Sequence, residues 1–299
     1  MTKLSISLML TSARTRPDEM ADYARHAESL GFDALFVGDH LATVAPTLES
    51  TLMLATVAAV TERLRVGFGV MILALRQPAW VAKQIATLQQ LSGSRVILGV
   101  GTGGDVHGTA AWEALGIPWA ERGRMTDAAL DILPGLLAGV PTEVAPGKPL
   151  TLAPAAELPP IWIGGASRAA MRRAVQRGDA WFPSMLTPPQ LVAAEAKLSE
   201  LARQAGRLRP AIALGGSVLL DTGPTPSVPA EVMAGLVHYG LTLEDAATVP
   251  IVGTPAHAAE QFALYRDAGA DHLVLGIVGD HWKRQCDLIA EARELLNRS

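Results

Sequence analysis

Short apolar runs alternate with longer amphipathic segments from one end of the chain to the other. A short apolar run bounded by turn residues is typical of a buried strand, and apolar residues at helical spacing indicate a helix that packs on one face. The runs that predict strands lie at 4–10, 34–37, 64–73, 96–100, 161–163, 180–182, 211–220 and 272–277. Helices are predicted between these strands, which gives eight strand–helix units.

Eight such units without a change in composition predict an α/β fold, a single (β/α)8 TIM barrel domain over residues 1–299. The alternative is an open doubly wound sheet, which normally has a glycine-rich turn after its first strand. Residues 11–14, which follow the first predicted strand, contain no glycine. This absence favours the barrel.

Two stretches interrupt the alternating pattern. Residues 139–160 follow the fourth strand and its helix, and residues 221–250 follow the seventh strand; both are broken by proline and glycine. We interpret them as insertions after strand 4 and strand 7, the second with one or two helices. Pro134 is expected to kink or fray the last turn of the helix over 121–137.

The composition limits the partners and compartments that are possible. A net charge of −4 with 18% charged residues indicates no basic surface for nucleic acid. The one cysteine, Cys286, cannot support an intrachain disulfide framework and suits a reducing cytoplasm. The apolar start of the chain alternates with serine and predicts a strand rather than a signal peptide, and no window approaches the roughly 18 apolar residues of a membrane span. We therefore expect a cytoplasmic protein with a small-molecule substrate and no nucleic-acid or membrane partner.

Glycines are concentrated where the predicted strands end. In a barrel, the C-terminal strand ends form the active site, and six of the eight ends contain glycine. Because glycine has no Cβ, a ligand can approach the backbone closely. This pattern favours a large flat ligand over the paired carboxylates of a hydrolase.

Residues 99–104 also match the dinucleotide-binding pattern G-x-G-x-x-G. However, the strand that leads into them is not the first of the chain, and no helix is predicted to follow directly. We therefore interpret the match as coincidental.

The stretch 161–167 contains the sharpest local signal. A strand leads into Gly164-Gly165-Ala166-Ser167, and a helix follows. Free N–H groups at a helix N-terminus and a serine hydroxyl can bind an anion. Arg168, in the first turn, opposes the helix dipole unless an anion is present. One interpretation is a phosphate clamp, and the other is a helix N-cap without a ligand.

Asp39 and His40 close the second strand and are candidate catalytic residues. An imidazole titrates near working pH and can transfer a proton or contact a ligand; the alternative is a solvent-exposed loop histidine. His281, beyond the eighth strand, is expected on the same face of the barrel, whereas His272, at the N-terminal end of that strand, is predicted to be structural. The sequence contains no H-E-x-x-H, no second cysteine and no G-x-S-x-G, so neither a metal site nor a serine nucleophile is expected.

Several short motifs, in their order and spacing, resemble the bacterial luciferase-like monooxygenases, including the oxidoreductases that depend on the deazaflavin coenzyme F420. The resemblance covers nearly the whole chain. The motifs are AESLGFDALF (27–36) leading to Asp39-His40, RQP (76–78) before AKQ (82–84), TL and LSGSR within 87–95, LGVG (98–101), IGG (163–165), GDAW (178–181), VGTP (252–255) and AGAD (268–271).

This resemblance implies a barrel that binds a flavin or deazaflavin across its C-terminal face, and a homodimer. It also implies a non-proline cis peptide at Gly69–Val70 beneath the ring, His40 near the reactive part of the ring, and a phosphate at 164–167. Some related dehydrogenases have an acidic proton donor directly after Gly-Thr-Gly. Gly104 stands at that position here. Either Asp105, which follows it, is the substitute, or the chemistry needs no acid at this position. The basic residues that bind a sugar phosphate in one relative have no convincing counterparts.

The main hypothesis is hydride transfer between coenzyme F420 and a small organic substrate, with FMN as the alternative cofactor and monooxygenation with O2 as its reaction. Two further alternatives are a barrel that has lost cofactor binding and a sugar-phosphate isomerase or aldolase, which would need a lysine at a strand end. The candidate catalytic residues are His40, Asp39 and Asp105. The candidate cofactor-binding residues are Gly69, Val70, Gly101, Thr102, Gly103, Gly164, Gly165, Ala166, Ser167 and Ser184. The candidate substrate-pocket residues are Met71, Leu73, Trp112, Trp119, Met185 and His281.

Overall fold

The strands of the protein form a closed parallel barrel, as shown by a computed structural model that describes residues 4–10, 16–43, 46–104, 106, 108–221, 228–279 and 281–298. The strands are β1 (Ser5–Leu10), β2 (Ala34–Val37), β3 (Arg65–Phe68), β4 (Met71–Ile72), β5 (Val96–Gly101), β6 (Thr142–Ala145), β7 (Lys148–Leu150), β8 (Ile161–Gly164), β9 (Ala180–Phe182), β10 (Ala211–Leu220), β11 (Ile251–Gly253) and β12 (His272–Ile277).

Eight of these strands make the barrel wall. The order is β1-β2-β3-β5-β8-β9-β10-β12, and β12 pairs with β1 to close the ring. All pairings in the wall are parallel. β4 continues the path of β3 and pairs with β5. The barrel predicted from the sequence is confirmed, and the open sheet is excluded.

The helices lie between the strands. They are α1 (Met20–Ser29), α2 (Ser50–Ala59), α3 (Pro78–Ser92), α4 (Ala110–Ala114), α5 (Arg122–Leu137), α6 (Arg168–Arg177), α7 (Pro188–Gln204), α8 (Ala230–His238), α9 (Leu243–Thr248), α10 (Pro255–Asp267) and α11 (Trp282–Arg298), with 3-10 turns at Leu73–Leu75 and Trp119–Glu121. Among the described residues, no helix is both long enough and apolar enough to span a bilayer.

Both predicted insertions are present. The first holds the antiparallel hairpin β6–β7, which the sequence did not indicate. The second holds α8 and α9, and directly after it lies the short strand β11, also not indicated, which pairs with the end of β10. The last turn of α5 does not fray at Pro134, because the helix continues through it to Leu137. Proline removes one helical hydrogen bond, and the Pro134 carbonyl still accepts from the N–H of Ala138 at 2.9 Å.

Aspartates fasten the N-terminal ends of the strands to one another. Asp33 accepts from the backbone N–H of Ile6 at 2.9 Å. Asp179 accepts from Ile161 at 2.7 Å, and Asp271 accepts from Ile212 at 2.9 Å. Each bond satisfies a donor at or near the start of a neighbouring strand. Since this face of a barrel contributes to stability rather than to catalysis, these aspartates are structural.

The inside of the barrel is filled by a separate apolar cluster. Phe36, Trp162 and Phe182 form its aromatic part, and His272 packs edge-on against Trp162 at 5.0 Å. Burial, together with the nearby charge of Arg65, lowers the pKa of His272 to about 3. Its Nε2 lies 2.6 Å from the Ser7 hydroxyl. His272 is therefore a neutral packing residue, as predicted.

Candidate active site

A ring of glycines forms a floor at the C-terminal end of the barrel. Strand residues alternate in direction, so a residue two positions after an inward-facing residue also faces the interior. The inward-facing residues near the ends of six strands are Phe36, Gly67, Gly99, Trp162, Ala213 and Val274. The residues two positions after them are all glycine: Gly38, Gly69, Gly101, Gly164, Gly215 and Gly276. We call these six residues the glycine floor. None of these positions carries a Cβ, and the Met9 side chain occupies the space over Gly69, where an added Cβ would lie 2.5 Å from Met9 Cε. A flat ligand could lie on a layer with so few side chains.

The peptide between Gly69 and Val70 is cis, as the resemblance implied. It separates β3 from β4, and the Gly69 N–H donates to the Val37 carbonyl at 2.8 Å. A Cβ added to Gly101 would lie 2.5 Å from Val70 Cγ2, and one added to Gly164 would lie 3.1 Å from Val70 Cγ1. The Val70 side chain therefore lies across two of the floor glycines.

Gly69 and Val70, the two residues between β3 and β4, form a bulge that changes which residues face the site. Because Gly69 and Val70 both point inward, the alternation shifts by one residue after them. Met71 and Leu73, at 0% and 1% exposure, pack in the outer core between strands and helices. Their predicted place in the substrate pocket is wrong. Ile72 points the other way and approaches Gly103, where a Cβ would lie 3.5 Å from its Cγ2.

Two tryptophans support the loop after β5. Trp112 is 3% exposed and packs against Gly103, where an added Cβ would lie 2.7 Å from Trp112 Cζ2. Trp119 meets it edge to face at 5.2 Å, and the guanidinium of Arg122 covers the Trp119 ring at 4.0 Å. Trp112 thus holds the loop containing Thr102 and Gly103 and presents little surface to a ligand, while Trp119 is half-buried at its edge.

The loop from β8 to α6 has the geometry of an anion site. Gly165 adopts a φ of +100°, which favours glycine, and its carbonyl accepts from the Trp181 indole N–H at 2.8 Å. Ser167 is the N-cap of α6, and its hydroxyl oxygen accepts from the Ala170 N–H at 3.1 Å. Ala166, Ser167 and Arg168 are exposed. The first N–H groups of α6 have no helical acceptor, so they are directed toward the exposed end of the loop.

The ends of β9 and β10 meet beside the floor. Ser184 forms a parallel bridge with Gly215, and Met185 follows with a φ of +59°. Ser217, a buried residue two positions after Gly215, donates weakly to the Met185 sulfur at 3.8 Å. Ser217 was not predicted, although the alternation in β10 places it on the inner face. His281 is exposed at the start of α11 with a φ of +62°.

Asp39 and His40 have different surroundings although they are adjacent. His40 is exposed, and its Nε2 lies 3.8 Å from the position of a Cβ on Gly38, so the imidazole lies near the floor. The Asp39 side chain is 3% exposed and pairs with Arg76 at 2.7 Å. Arg76 was not predicted as a site residue, although it begins the RQP motif of the resemblance. Asp105 lies outside the described residues.

Electrostatically, the site is a mostly uncharged floor with an exposed histidine and the exposed N-terminus of α6 at its edge. In the part of the chain that the structure describes, no group of three or more His, Cys, Asp or Glu side chains could hold a metal ion. The arrangement can accept a flat ligand on the backbone and an anionic group at the start of α6.

Known proteins resemble the chain over different lengths. An uncharacterised protein of Mycobacterium tuberculosis is 37% identical over 171 residues, which is 55% of this chain and 58% of that protein. The chain therefore matches little more than half the length of this relative. An F420-dependent glucose-6-phosphate dehydrogenase of Microbacterium testaceum is 28% identical over 303 residues, with 88% of each chain covered.

Solved structures share the fold at low identity. An F420-dependent secondary alcohol dehydrogenase superposes with a TM-score of 0.81 at 19% identity, covering 98% of this chain and 99% of the other. The oxygenating constituent of 3,6-diketocamphane monooxygenase from Pseudomonas putida, in complex with FMN, gives a TM-score of 0.76 at 18% identity over 96% and 97% of the two chains. Residues 2–240 match the sequence model of the luciferase-like monooxygenases. The chain belongs to the luciferase-like monooxygenase family.

Proposed function

We propose that the protein is an oxidoreductase that transfers a hydride between coenzyme F420 and a small organic substrate. The observation that supports this most strongly is the glycine floor, because six Cβ-free positions on one layer suit a tricyclic ring. When bound, the deazaflavin would supply or accept the hydride at its C5 position. For a ketone substrate, the hydride would go to the carbonyl carbon and a proton to the oxygen, with reduced F420 as the reductant.

The residues present fit such a cofactor. The Val70 side chain, which occupies the space over Gly101 and Gly164, would lie beneath the middle of the ring. The start of α6 at Ser167 would bind the phosphate through backbone N–H groups and the serine hydroxyl. His40 stands beside the floor, where its imidazole could hold or deliver a proton to the substrate oxygen.

Two features favour F420 over FMN. The sequence Gly38-Asp39-His40-Leu41 resembles the deazaflavin-dependent members, and the relative that covers 88% of this chain is named as an F420-dependent dehydrogenase. FMN remains the alternative cofactor, with activation of O2 as the expected chemistry. Deazaflavins react poorly with O2, so the two cofactors predict different reactions.

A titration of the apo protein with F420 and, separately, with FMN tests the proposal. The six tryptophans provide a fluorescence-quench signal. We expect saturable binding of F420 and binding of FMN at least about tenfold weaker, a difference of about 1.4 kcal/mol. Tight binding of FMN alone would favour the monooxygenase, and binding of neither would favour a barrel that has lost its cofactor.

Replacing His40 with alanine is expected to lower kcat by at least about tenfold, because general acid–base catalysis typically contributes about 100-fold or more. The melting temperature should change little, because the side chain is exposed. Turnover would be measured with reduced F420 and a panel of small aldehydes and ketones, and with oxidised F420 and alcohols. A variant that fails to fold, or one with the wild-type kcat, would contradict this role.

We also propose that the protein is a homodimer that buries the exposed face of α2. No residue of α2 is charged, and Leu52 on α2 and Trp80 on the neighbouring α3 are 70% and 69% exposed. Exposed apolar patches of this kind mark interfaces, and an uncharged face can meet its own copy across a twofold axis without repulsion. Sedimentation equilibrium should give a dimer for the wild type and a monomer for Leu52→Lys. A monomeric wild type would contradict the proposal.

A further inference from the structure

A buried ion pair lies directly beside His40. Arg76 donates through two nitrogens to the two carboxylate oxygens of Asp39, at 2.8 Å and 2.7 Å. The side chains are 21% and 3% exposed, respectively. Two parallel bonds from a planar guanidinium fix both the distance and the orientation of the carboxylate.

Two more donors complete the surroundings of the Asp39 carboxylate. The hydroxyl of Ser50 donates to Oδ1 at 2.7 Å, and the backbone N–H of Ile72 donates to Oδ2 at 3.0 Å. A carboxylate offers about four lone-pair sites, and here each oxygen already accepts two bonds. Asp39 is therefore engaged in holding its neighbours and is poorly placed to exchange a proton with a substrate, contrary to the catalytic role expected from the sequence.

These bonds join four parts of the chain that surround the floor. They connect the end of β2, the first residue of α2, the strand β4 after the cis peptide, and the segment before α3. His40 follows Asp39 directly, and Val70 lies two residues before Ile72. One carboxylate thus connects the segments that carry the imidazole and the bulge.

We propose that Arg76 and Asp39 act as positioning residues, which hold the His40 imidazole and the Val70 side chain in a fixed relation above the glycine floor. This inference rests on the proposed function for the role of His40. The position of the imidazole itself can be measured without any cofactor.

The test uses the variant Arg76→Lys in the full chain, which keeps the positive charge and loses the two-pronged contact. Nitrogen–hydrogen correlation NMR of the apo protein reports on the seven histidine rings, and the His40 signals are assigned by their loss in His40→Ala. We expect Arg76→Lys to shift the His40 signals. The matched control is Arg203→Lys, which alters the exposed pair with Glu200 on α7 and should leave the His40 signals unchanged.

Turnover provides the second measurement. In Arg76→Lys, kcat should fall about tenfold because a misplaced group loses alignment with the reacting atoms, while the Kd for F420 should change less than about threefold. If Arg76→Lys does not fold, Ser50→Ala removes only one of the four donors and should shift the His40 signals less strongly.

The inference would be overturned if a folded Arg76→Lys or Ser50→Ala variant gave the same His40 signals as the wild type. It would also be overturned if folded Arg76→Lys had the wild-type kcat. Failure of the wild-type protein to bind F420 would instead contradict the proposed function, and the NMR result would still decide whether the ion pair positions His40.

Discussion

Of the glycine-to-alanine substitutions in the barrel, Gly99→Ala is expected to destabilise the protein most. A Cβ at this position would overlap the carbonyl oxygen of Phe68 and lie 3.0 Å from its carbonyl carbon. These are backbone atoms of the strand that leads into the cis peptide, so no side-chain rotation can remove the clash. The cost should reach about 3 kcal/mol, the upper range for overpacking.

Gly276→Ala is the matched control for this experiment. Gly276 also faces the interior from a barrel strand, but an added Cβ would meet only Gly216 O at 3.5 Å and Met9 Cβ at 4.0 Å, which are ordinary contacts. Its free energy of unfolding should stay within about 1 kcal/mol of the wild type. Urea unfolding monitored by circular dichroism gives both values. Equal unfolding midpoints for the two variants would contradict the close approach of β3 and β5.

Replacing Ser167 with aspartate is expected to weaken F420 binding about 100-fold while the fold is retained. Aspartate caps a helix as well as serine does, and a negative charge at the start of a helix is favourable. The same charge would repel a bound phosphate, and a loss of about 2.7 kcal/mol corresponds to that factor. Ser167→Ala would be less informative, because it removes both the hydroxyl and the bond that caps Ala170.

Thr254→Asp is the control for the added charge. Thr254 caps α10 through a bond from the His257 N–H at 3.3 Å, so this variant makes the same N-cap change on another helix. Its Kd for F420 should equal that of the wild type. The loss in Ser167→Asp should also diminish as salt is raised, because salt screens exposed charges. A Kd for Ser167→Asp within threefold of the wild type at low salt would exclude the start of α6 as the phosphate site.

Much of the architecture could be predicted from local patterns. Each barrel strand is a short apolar run whose neighbours along the chain are helices, so its type is encoded within a few residues. The lack of a Cβ is likewise a property of the residue itself. The glycines at the strand ends therefore indicated a flat ligand site before their common layer was known.

Other features depended on contacts between distant segments. Met71 and Leu73 were predicted to line the substrate pocket, but the bulge at Gly69–Val70 turns them outward. The bulge depends on neighbouring strands that leave space for it. On β5 and β8 this space exists because Gly99, Gly101 and Gly164 have no side chains. The resemblance to a known family implied the cis peptide at this position, but no residue pattern within the third strand indicated how it changes the direction of Met71 and Leu73.

The sequence by itself determined the barrel, its two insertions and the places where glycine leaves the backbone open, because these depend on residue type and local periodicity. Only the tertiary structure decided what Asp39 does. The Asp39 carboxylate accepts hydrogen bonds from Arg76, which lies 37 positions away in the sequence, and from Ser50 and Ile72. Four donors converge on one carboxylate because the barrel brings together β2, β4 and the helices beside them, and that convergence has no local signature in the chain.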